Sequence, residues 1–189
     1  MESALIVSHT EKSIVFFTEM LNMASFNQTV TLQLCGDARR LLLERDFDLV
    51  IINAPLRDES GEDLARHIAS KGLSQVILVV KSEHFDAVSE VAENDGVFTV
   101  AKPINRSIFW AVIKLAKVGQ IRMQQLRAEN AKLANKIEDI RIIDRAKCIL
   151  ISYLKISEQE AHRSIEKQAM NMRITRREVA EGILKTYEE

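Results

Sequence analysis

The stretch Phe47-Asp48-Leu49-Val50-Ile51-Ile52-Asn53 decides the fold class of this protein. An unbroken apolar run that ends in a polar residue is typical of a strand buried on both faces of a parallel sheet. Comparable runs occur at Ala4–Val7, Val76–Val80 and Val97–Ala101, and Val30–Leu34 alternates as a strand does. We therefore predict five strands, of which the quoted stretch is the third along the chain.

Segments with helical spacing separate these strands. They are Ile14–Met23, Ala38–Glu44 with Asp37 as its N-cap, a helix that opens at Gly61, and Phe85–Glu93. Regular alternation of strand and helix is the pattern of an α/β domain with helices on both faces of its sheet. The prediction is therefore a doubly wound, five-stranded parallel sheet over residues 1–118.

The composition limits the classes of function that remain open. The 189 residues include only 6 Gly and 2 Pro, so long helices are expected. No apolar run reaches the roughly 18 residues of a membrane span, and no signal peptide precedes the first strand, so we expect a cytoplasmic protein without membrane contact. The Cys and His residues are scattered, and no Ser/His/Asp set or Gly-rich phosphate loop has supporting context. We expect no metal, no cofactor and no enzymatic activity.

Charge is unevenly distributed along the chain, although the formal net charge is only −1. Residues 1–118 hold 12 Lys and Arg against 16 Asp and Glu, whereas residues 145–177 hold 8 cationic side chains against 3 anionic ones. An acidic first part and a basic later part indicate different partners for the two ends.

A long helix is predicted after the α/β domain, from Ser107 to about Tyr153 with Asn105 as its cap. Its residues 119–144 carry a heptad pattern, and the seam consists of Met123, Leu126, Asn130, Leu133, Ile137 and Ile140. A single Asn at an a position fixes the register of a parallel two-stranded coil, because two such amides pair only when aligned. We predict a coiled-coil linker that makes the protein a homodimer. The alternative is a helix that packs on its own domain. The faces of the helix outside the seam are too polar for such packing.

Two further helices have clear starting signals. Ser157-Glu158-Gln159-Glu160 and Thr175-Arg176-Arg177-Glu178 are both capping boxes, with a hydroxyl at the cap and Glu three residues later. The first helix would turn Ala161, Ile165 and Ala169 inward, and the second Val179, Ile183 and Tyr187. With the end of the long helix they form a predicted three-helix unit.

The first domain resembles the receiver domain of bacterial response regulators at its scaffold positions. Asn53 ends the third strand, where that family has the Asp that accepts a phosphoryl group, and Gly61 and Lys102-Pro103 follow at the family's spacing. Asp58, in the loop after the strand, is interpreted as a solvated charge and not as a substitute acceptor. The resemblance implies a receiver fold.

The positions that carry receiver chemistry hold unsuitable residues. The family's acidic pair, which holds Mg²⁺ together with the acceptor, falls on Ser8 and His9, and the usual Thr or Ser of the fourth strand falls on Val80. Mg²⁺ requires oxygen ligands in octahedral geometry, and an amide is not a phosphoryl acceptor. We predict a pseudo-receiver that phosphorylation does not control, with Lys102 hydrogen-bonded to Asn53.

Residues 139–189 resemble the ANTAR domain, a three-helix RNA-binding module of transcription antitermination regulators. The resembling segments are Ile143–Leu150, Ser157–Ala161, Gln168–Met170 and Arg177–Ala180, with Cys148 in place of a usual Gly. Arg side chains and a helix N-terminus suit RNA phosphates and bases. Met170 is interpreted first as a core residue and second as a side chain that packs on a base. The RNA-binding residues that we predict are Arg145, Lys147, Arg163, Met170, Arg173, Thr175, Arg176 and Arg177.

These observations predict a dimeric, non-enzymatic antitermination regulator that binds hairpin loops in leader RNA. Because phosphoryl input is excluded by the pocket residues, a protein partner that senses a ligand is expected to act on the pseudo-receiver. A DNA-binding transcriptional regulator is the first alternative, since helix-turn-helix units are also small, basic and dimeric. A signalling adaptor that uses the coil only for assembly is the second.

Overall fold

The structure is a computed structural model that describes residues 3–187. The chain divides into two compact units on either side of the Gln125–Leu126 bond. One long helix contributes residues to both units, and the predicted boundaries at residues 118 and 139 fall on it.

The first unit contains a five-stranded parallel sheet in the order β2-β1-β3-β4-β5, which confirms the predicted fold class. The order places β1 and β3 at the centre, where both faces must be covered. Strand residues alternate between two apolar layers, with Leu5, Val50 and Ile52 on one side of the sheet and Ile6 and Ile51 on the other. The strands are β1 (Ser3–Val7), β2 (Gln28–Leu32), β3 (Leu49–Asn53), β4 (Gln75–Lys81) and β5 (Val97–Lys102).

Helices cover both faces of this sheet. The helices are α1 (Glu11–Met23), α2 (Cys35–Glu44), α3 (Glu62–Ser70), α4 (Phe85–Asn94) and α5 (Arg106–Leu154), with a short 3₁₀ turn at Ser82–His84. Helices α2, α3 and α4 pack on one layer, and α1 and the first part of α5 pack on the other. Asn105 caps α5 as predicted, since its Oδ1 accepts hydrogen bonds from the amides of Ser107 at 2.9 Å and Ile108 at 3.3 Å.

The start of α2 differs from the prediction in two respects. Strand β2 ends at Leu32, two residues earlier than expected, and α2 begins at Cys35 with Leu34 as its cap residue. Asp37 therefore lies inside the first turn and does not cap the helix. An apolar cap residue leaves the first amides of α2 without a local acceptor, so the acceptor must come from elsewhere in the chain.

Gly61 is required by the geometry at the start of α3. Its φ is +90°, and a Cβ at this position would lie 2.9 Å from Cγ2 of Ile52. Any other residue would combine an unfavourable backbone conformation with a steric clash against β3. The Gly that the sequence analysis assigned to the scaffold therefore fixes how the loop after β3 enters the helix.

The second unit consists of the end of α5 together with α6 (Glu158–Met172) and α7 (Arg176–Tyr187). Both predicted capping boxes are present, with the Glu160 amide donating to Ser157 Oγ at 3.3 Å and the Glu178 amide donating to Thr175 Oγ1 at 3.2 Å. The predicted inward residues form the core, and Tyr187 lies at its edge. The buried residues are Ala146, Leu150, Ala161, Ile165, Ala169, Val179, Ala180 and Ile183.

Candidate functional site

The receiver pocket at the carboxyl ends of β1 and β3 is a neutral hydrogen-bonding site. Asn53 is 2% exposed, and its Nδ2 donates to Oγ of the buried Ser8 at 3.0 Å. Asn53 Oδ1 and His9 Nδ1 are both buried and accept no hydrogen bond from any residue of 3–187. The structure thus brings Asn53 and Ser8 together, and neither side chain carries a charge.

Lys102 does not bond to Asn53, so that prediction is wrong. Its Nζ donates instead to the carbonyl oxygen of Ala54 at 2.5 Å, one residue beyond the strand end. Burial lowers the pKa of Lys102, and the nearby charge of Lys81 lowers it further. Val80 is buried and offers no hydroxyl. Lys102 therefore ties the loop after β3 to the end of β5.

The Mg²⁺ ion that receiver domains use does not fit this pocket. Ser8, His9 and Asn53 offer a hydroxyl, an imidazole and an amide, whereas a hard octahedral cation prefers carboxylate and other oxygen ligands. The two carboxylates in the following loop are engaged elsewhere, Asp58 at the start of α2 and Glu59 with Arg39 at 2.9 Å. The residues present support neither metal binding nor phosphoryl transfer.

Asp58 has a structural role that the sequence analysis missed. Its Oδ1 accepts a hydrogen bond from the amide of Cys35 at 3.1 Å, and its Oδ2 accepts one from the amide of Gly36 at 2.9 Å. These are the amides that the apolar cap residue Leu34 leaves without an acceptor, so Asp58 caps α2 from the loop after β3. Asp58 is exposed, as the sequence predicted, and its carboxylate also caps α2, which the sequence did not indicate.

Cys35 lies close to this cap, and its Sγ is within 4.8 Å of carboxylate oxygens of Asp58 and Glu59. Burial raises the pKa of the thiol to about 12, and the hydrogen bond to Glu59 raises it in the same direction. A thiol must lose its proton to bind a metal ion or to act as a nucleophile. The Cys35 thiol is therefore best described as a packing residue next to the cap of α2.

In the second unit, several of the predicted RNA-binding cations form ion pairs. Lys147 has only 14% of its side chain exposed and contacts Asp144 at 2.7 Å and Glu158 at 3.1 Å. The hydrogen bonds to Asp144 and then Glu158 raise the pKa of Lys147. Because Asp144 lies on α5 and Glu158 opens α6, Lys147 joins these two helices.

The two Arg residues that open α7 are paired as well. Arg177 contacts Glu181 at 2.7 Å and Asp139 on α5 at 2.9 Å, and Arg176 contacts Glu166 on α6 at 3.1 Å. Thr175 precedes them as the cap of α7. The charges at this turn therefore hold the three helices together, which reduces what they can offer to a phosphate.

The remaining predicted residues of the second unit are exposed. Arg145 lies on α5, Arg163 on α6, and Arg173 follows α6 with a left-handed backbone at φ 55°. Met170 is 79% exposed, so its interpretation as a core residue is wrong. Arg163 and Met170 lie on α6, and Arg173 is its C-cap residue. Lys167, which the sequence analysis did not assign, lies between them.

Most seam residues of the predicted coil are exposed. Leu126, Leu133, Ile137 and Ile140 each have more than half of their surface accessible, and Asn130 is exposed with them. Met123 is half-buried, and its sulfur accepts a hydrogen bond from Gln75 Nε2 at 3.9 Å. Apolar side chains at this spacing, on a segment of α5 that is otherwise mostly polar between residues 126 and 140, leave a stripe without a covering surface.

Comparisons with known proteins agree with this architecture. Residues 131–184 match the family model of the ANTAR domain. The first unit resembles the signal receiver domain of an HD domain-containing protein from Pseudomonas fluorescens Pf-5, with a TM-score of 0.57 and 20% identity over 66% of this chain and 92% of that one. It also resembles a two-component transcriptional regulator AraC from Clostridium phytofermentans, with a TM-score of 0.59 and 16% identity over 66% and 98%. At these identities the resemblance establishes the fold of the first unit.

The protein therefore combines a receiver-like domain, a long helix and a C-terminal ANTAR domain, which is the architecture of an ANTAR response regulator. It is homologous to the transcriptional regulatory protein PdtaR of Mycobacterium tuberculosis, with 29% identity over 139 residues that cover 74% of this chain and 68% of PdtaR. Among the helices described between residues 3 and 187, none is both long and apolar enough to cross a membrane.

Proposed function

We propose that this protein is a dimeric RNA-binding antitermination regulator whose input comes from a protein partner of the pseudo-receiver. Its ANTAR domains would hold hairpin loops of a leader transcript and so favour readthrough of a terminator. The protein would have no enzymatic activity of its own.

The observation that carries the RNA-binding part is the ANTAR match over residues 131–184, which includes an exposed cationic surface. Arg163, Lys167 and Arg173 are exposed there, and Arg side chains suit both phosphates and unstacked bases. RNA loops present unstacked bases, whereas a duplex hides them. This surface therefore favours structured RNA with single-stranded loops over duplex DNA.

The exposed stripe on α5 supports assembly as a dimer. Leu133, Ile137 and Ile140 lie on one side of α5, whose other sides are mostly polar between residues 126 and 140, and a second copy of the same stripe would remove them from water. Asn130 in the middle of the stripe would restrict pairing to the parallel, aligned register. A parallel dimer presents two ANTAR domains, which suits an RNA with two hairpins.

The receiver pocket supports control by a partner and not by phosphorylation. Asn53 is neutral and bonded to Ser8, and the family's acidic positions hold Ser8 and His9. Without an acceptor or a metal site, a histidine kinase has no group to modify at this position. A receiver fold still presents a folded surface that another protein can bind.

The experiment measures binding of the full chain to a labelled pool of two-hairpin RNAs with randomised loops. Single-hairpin RNAs and duplex DNA of matched length serve as comparisons. We expect the tightest binding for two-hairpin RNA and readthrough of a downstream terminator in single-round transcription with purified polymerase. Equal affinity for duplex DNA and for the whole RNA pool would contradict the proposed function.

A matched pair of variants tests the dimer. Leu133→Asp with Ile137→Asp places two carboxylates in the stripe, and Ala131→Asp with Asn135→Asp places the same two carboxylates on the outer faces of the helix. We expect only the first variant to sediment as a monomer and to lose its preference for two hairpins. If both variants bind as the parent does, the ANTAR domain acts without the dimer.

A further inference from the structure

Helix α6 buries one face and presents a different chemistry on the opposite face. Ala161, Ile165 and Ala169 point into the core of the second unit. Arg163, Lys167 and Met170 follow one another at four- and three-residue spacing, so they form a row on the outer face. The row combines two cations with a large apolar side chain.

Met170 is the unusual member of this row because it is 79% exposed. A single exposed apolar residue is common on protein surfaces and carries no meaning alone. Here it lies between Lys167, one turn before it, and Arg173, which follows directly after the helix. Lys167 and Arg173 form no ion pair with any residue between 3 and 187, so their charges are available.

The acidic residues closest to the row are already engaged. Glu160 accepts hydrogen bonds from the amide and the hydroxyl of Ser157, each at 2.8 Å, as part of the capping box. Glu166 contacts Arg176 at 3.1 Å and His162 at 3.4 Å. Glu160 also interacts electrostatically with Arg163, so Lys167 and Arg173 are the members of the row whose charge is not paired within residues 3–187.

We propose that this outer face of α6 packs one unstacked RNA base on Met170, while Arg163, Lys167 and Arg173 contact the phosphates on either side. The proposal rests on the proposed RNA-binding function and adds the surface that performs it. An unstacked base binds an apolar side chain, and the phosphates on either side of it bind cations one or two helical turns away. The row on α6 offers both kinds of contact. One Met would bury little area against a protein or a lipid surface, whereas it covers much of one base.

The proposal places the RNA surface on α6 and its C-cap residue Arg173, and not on the first residues of α7. Three other cations form ion pairs between helices, namely Arg176, Arg177 and Lys147. Their replacement is therefore expected to lower the stability of the domain before it changes RNA binding. The row on α6 can change without loss of a contact to the core. This difference makes the proposal testable with variants that remain folded.

The first test compares Met170→Ala with Met172→Ala in the full chain. Met172 is also exposed, at 63%, but it lies off the row. With a tight-binding two-hairpin RNA taken from the randomised pool, we expect Met170→Ala to weaken binding by about fivefold, since part of a buried Met side chain is lost. Met172→Ala is expected to bind as the parent does. The salt dependence should be the same for all three, because no charge changes.

Abasic loops identify the base. Each loop nucleotide is replaced in turn by an abasic one, and binding by the parent and by Met170→Ala is compared. At one position the two proteins should become equal, because the base that Met170 contacts has been removed. If Met170→Ala and Met172→Ala bind every loop equally, Met170 does not contact a base and the inference is wrong.

The second test compares Lys167→Gln with Lys185→Gln, an exposed cation on α7. Loss of one phosphate contact is expected to lower the slope of log K against log salt by about 0.7 for Lys167→Gln. An unchanged slope for Lys167→Gln would contradict the assignment of phosphate contacts to α6.

If the parent itself shows no preference for the RNA pool, the proposed function fails instead. If Met170→Ala changes sedimentation and leaves RNA affinity unchanged, the row is a protein interface and the inference is wrong.

Discussion

Asp58 provides the sharpest test of the receiver-like unit, because sequence and structure assign the cap of α2 to different residues. The sequence pattern gives the cap to Asp37, whereas the structure gives it to Asp58, whose carboxylate accepts from two amides at 3.1 and 2.9 Å. We therefore compare Asp58→Ala with Asp37→Ala. The first variant removes both acceptors from the start of α2, and the second removes only an exposed pair with Arg40 at 3.4 Å.

The expected magnitude follows from the kind of contact. Loss of an N-cap side chain costs about 0.5–2 kcal/mol, and Asp58 is exposed enough that we expect about 1 kcal/mol. Loss of the Asp37–Arg40 pair is expected to cost about 0.3 kcal/mol, as for other exposed pairs within one helix. Asp58→Asn should fall between parent and Asp58→Ala, because an amide retains one acceptor oxygen for the two donors.

Urea unfolding followed by tryptophan fluorescence measures this difference. Trp110 is the single tryptophan and packs on the α1–α5 side of the receiver-like unit, so its signal reports on that unit. A loss of about 1 kcal/mol corresponds to a lower melting temperature by roughly 3–5 °C for a unit of this size. Asp37→Ala should be nearly superimposable on the parent.

The pH dependence of the free energy of unfolding tests independently whether the Asp58 carboxylate stabilises the folded state. Slight desolvation works to raise the pKa of Asp58, but hydrogen bonds from the amides of Gly36 and Cys35, and from its own loop, outweigh it and lower the pKa. A carboxyl whose pKa is lower in the folded state contributes stability above its unfolded pKa of about 3.9 and loses it as the pH falls through the folded pKa. Parent and Asp58→Ala should therefore differ at pH 7 and converge below pH 4 or so. If Asp37→Ala costs more than Asp58→Ala at pH 7, the cap assignment is wrong.

Three further predictions concern the pocket, the coil and the turn before α7. Acetyl phosphate, or beryllofluoride with Mg²⁺, should leave the mass and the tryptophan fluorescence unchanged because Asn53 is no acceptor; a mass gain of one phosphoryl group would contradict this. Asn130→Leu should raise thermal stability but give mixed oligomers in sedimentation velocity, since the amide no longer penalises other registers; a monomeric parent at micromolar concentration would remove the premise. Arg177→Ala should lower the melting temperature of the ANTAR domain with little change in the salt dependence of RNA binding, because Arg177 contacts Asp139 and Glu181. Arg173→Ala should leave the melting temperature unchanged and lower the slope of log K against log salt by about 0.7. If circular dichroism and anisotropy show the opposite pattern, Arg177 is the phosphate contact and Arg173 the stabilising residue.

The position of the receiver pocket could be predicted from the sequence. Asn53 could be placed at a strand end from the apolar run before it, and Ser8 follows the first strand in the same way. Because the carboxyl ends of parallel strands meet at one edge of the sheet, their proximity follows from the fold class, and the structure gives 3.0 Å between Asn53 Nδ2 and Ser8 Oγ. The replacement of the family's acceptor Asp by Asn53 is thus visible in the sequence.

The chain by itself determined the elements and the features that depend on neighbours within one helical turn. Apolar periodicity set the five strands and the helices, and the caps at Asn105, Ser157 and Thr175 use partners two or three residues away. Such contacts form whenever the local segment forms, so composition and spacing are sufficient to predict them.

Contacts between residues far apart in the chain depend on how the folded elements pack. Asp58 caps a helix 23 residues earlier, Lys102 bonds to a carbonyl 48 residues away, and Arg177 contacts Asp139 across 38 residues. The exposure of Met170 likewise depends on how α6 rotates against its neighbours, and helical spacing leaves this rotation open. A charged or apolar side chain has many possible partners along a sequence, and only packing selects one, which is why local patterns predicted neither these contacts nor the exposure of Met170.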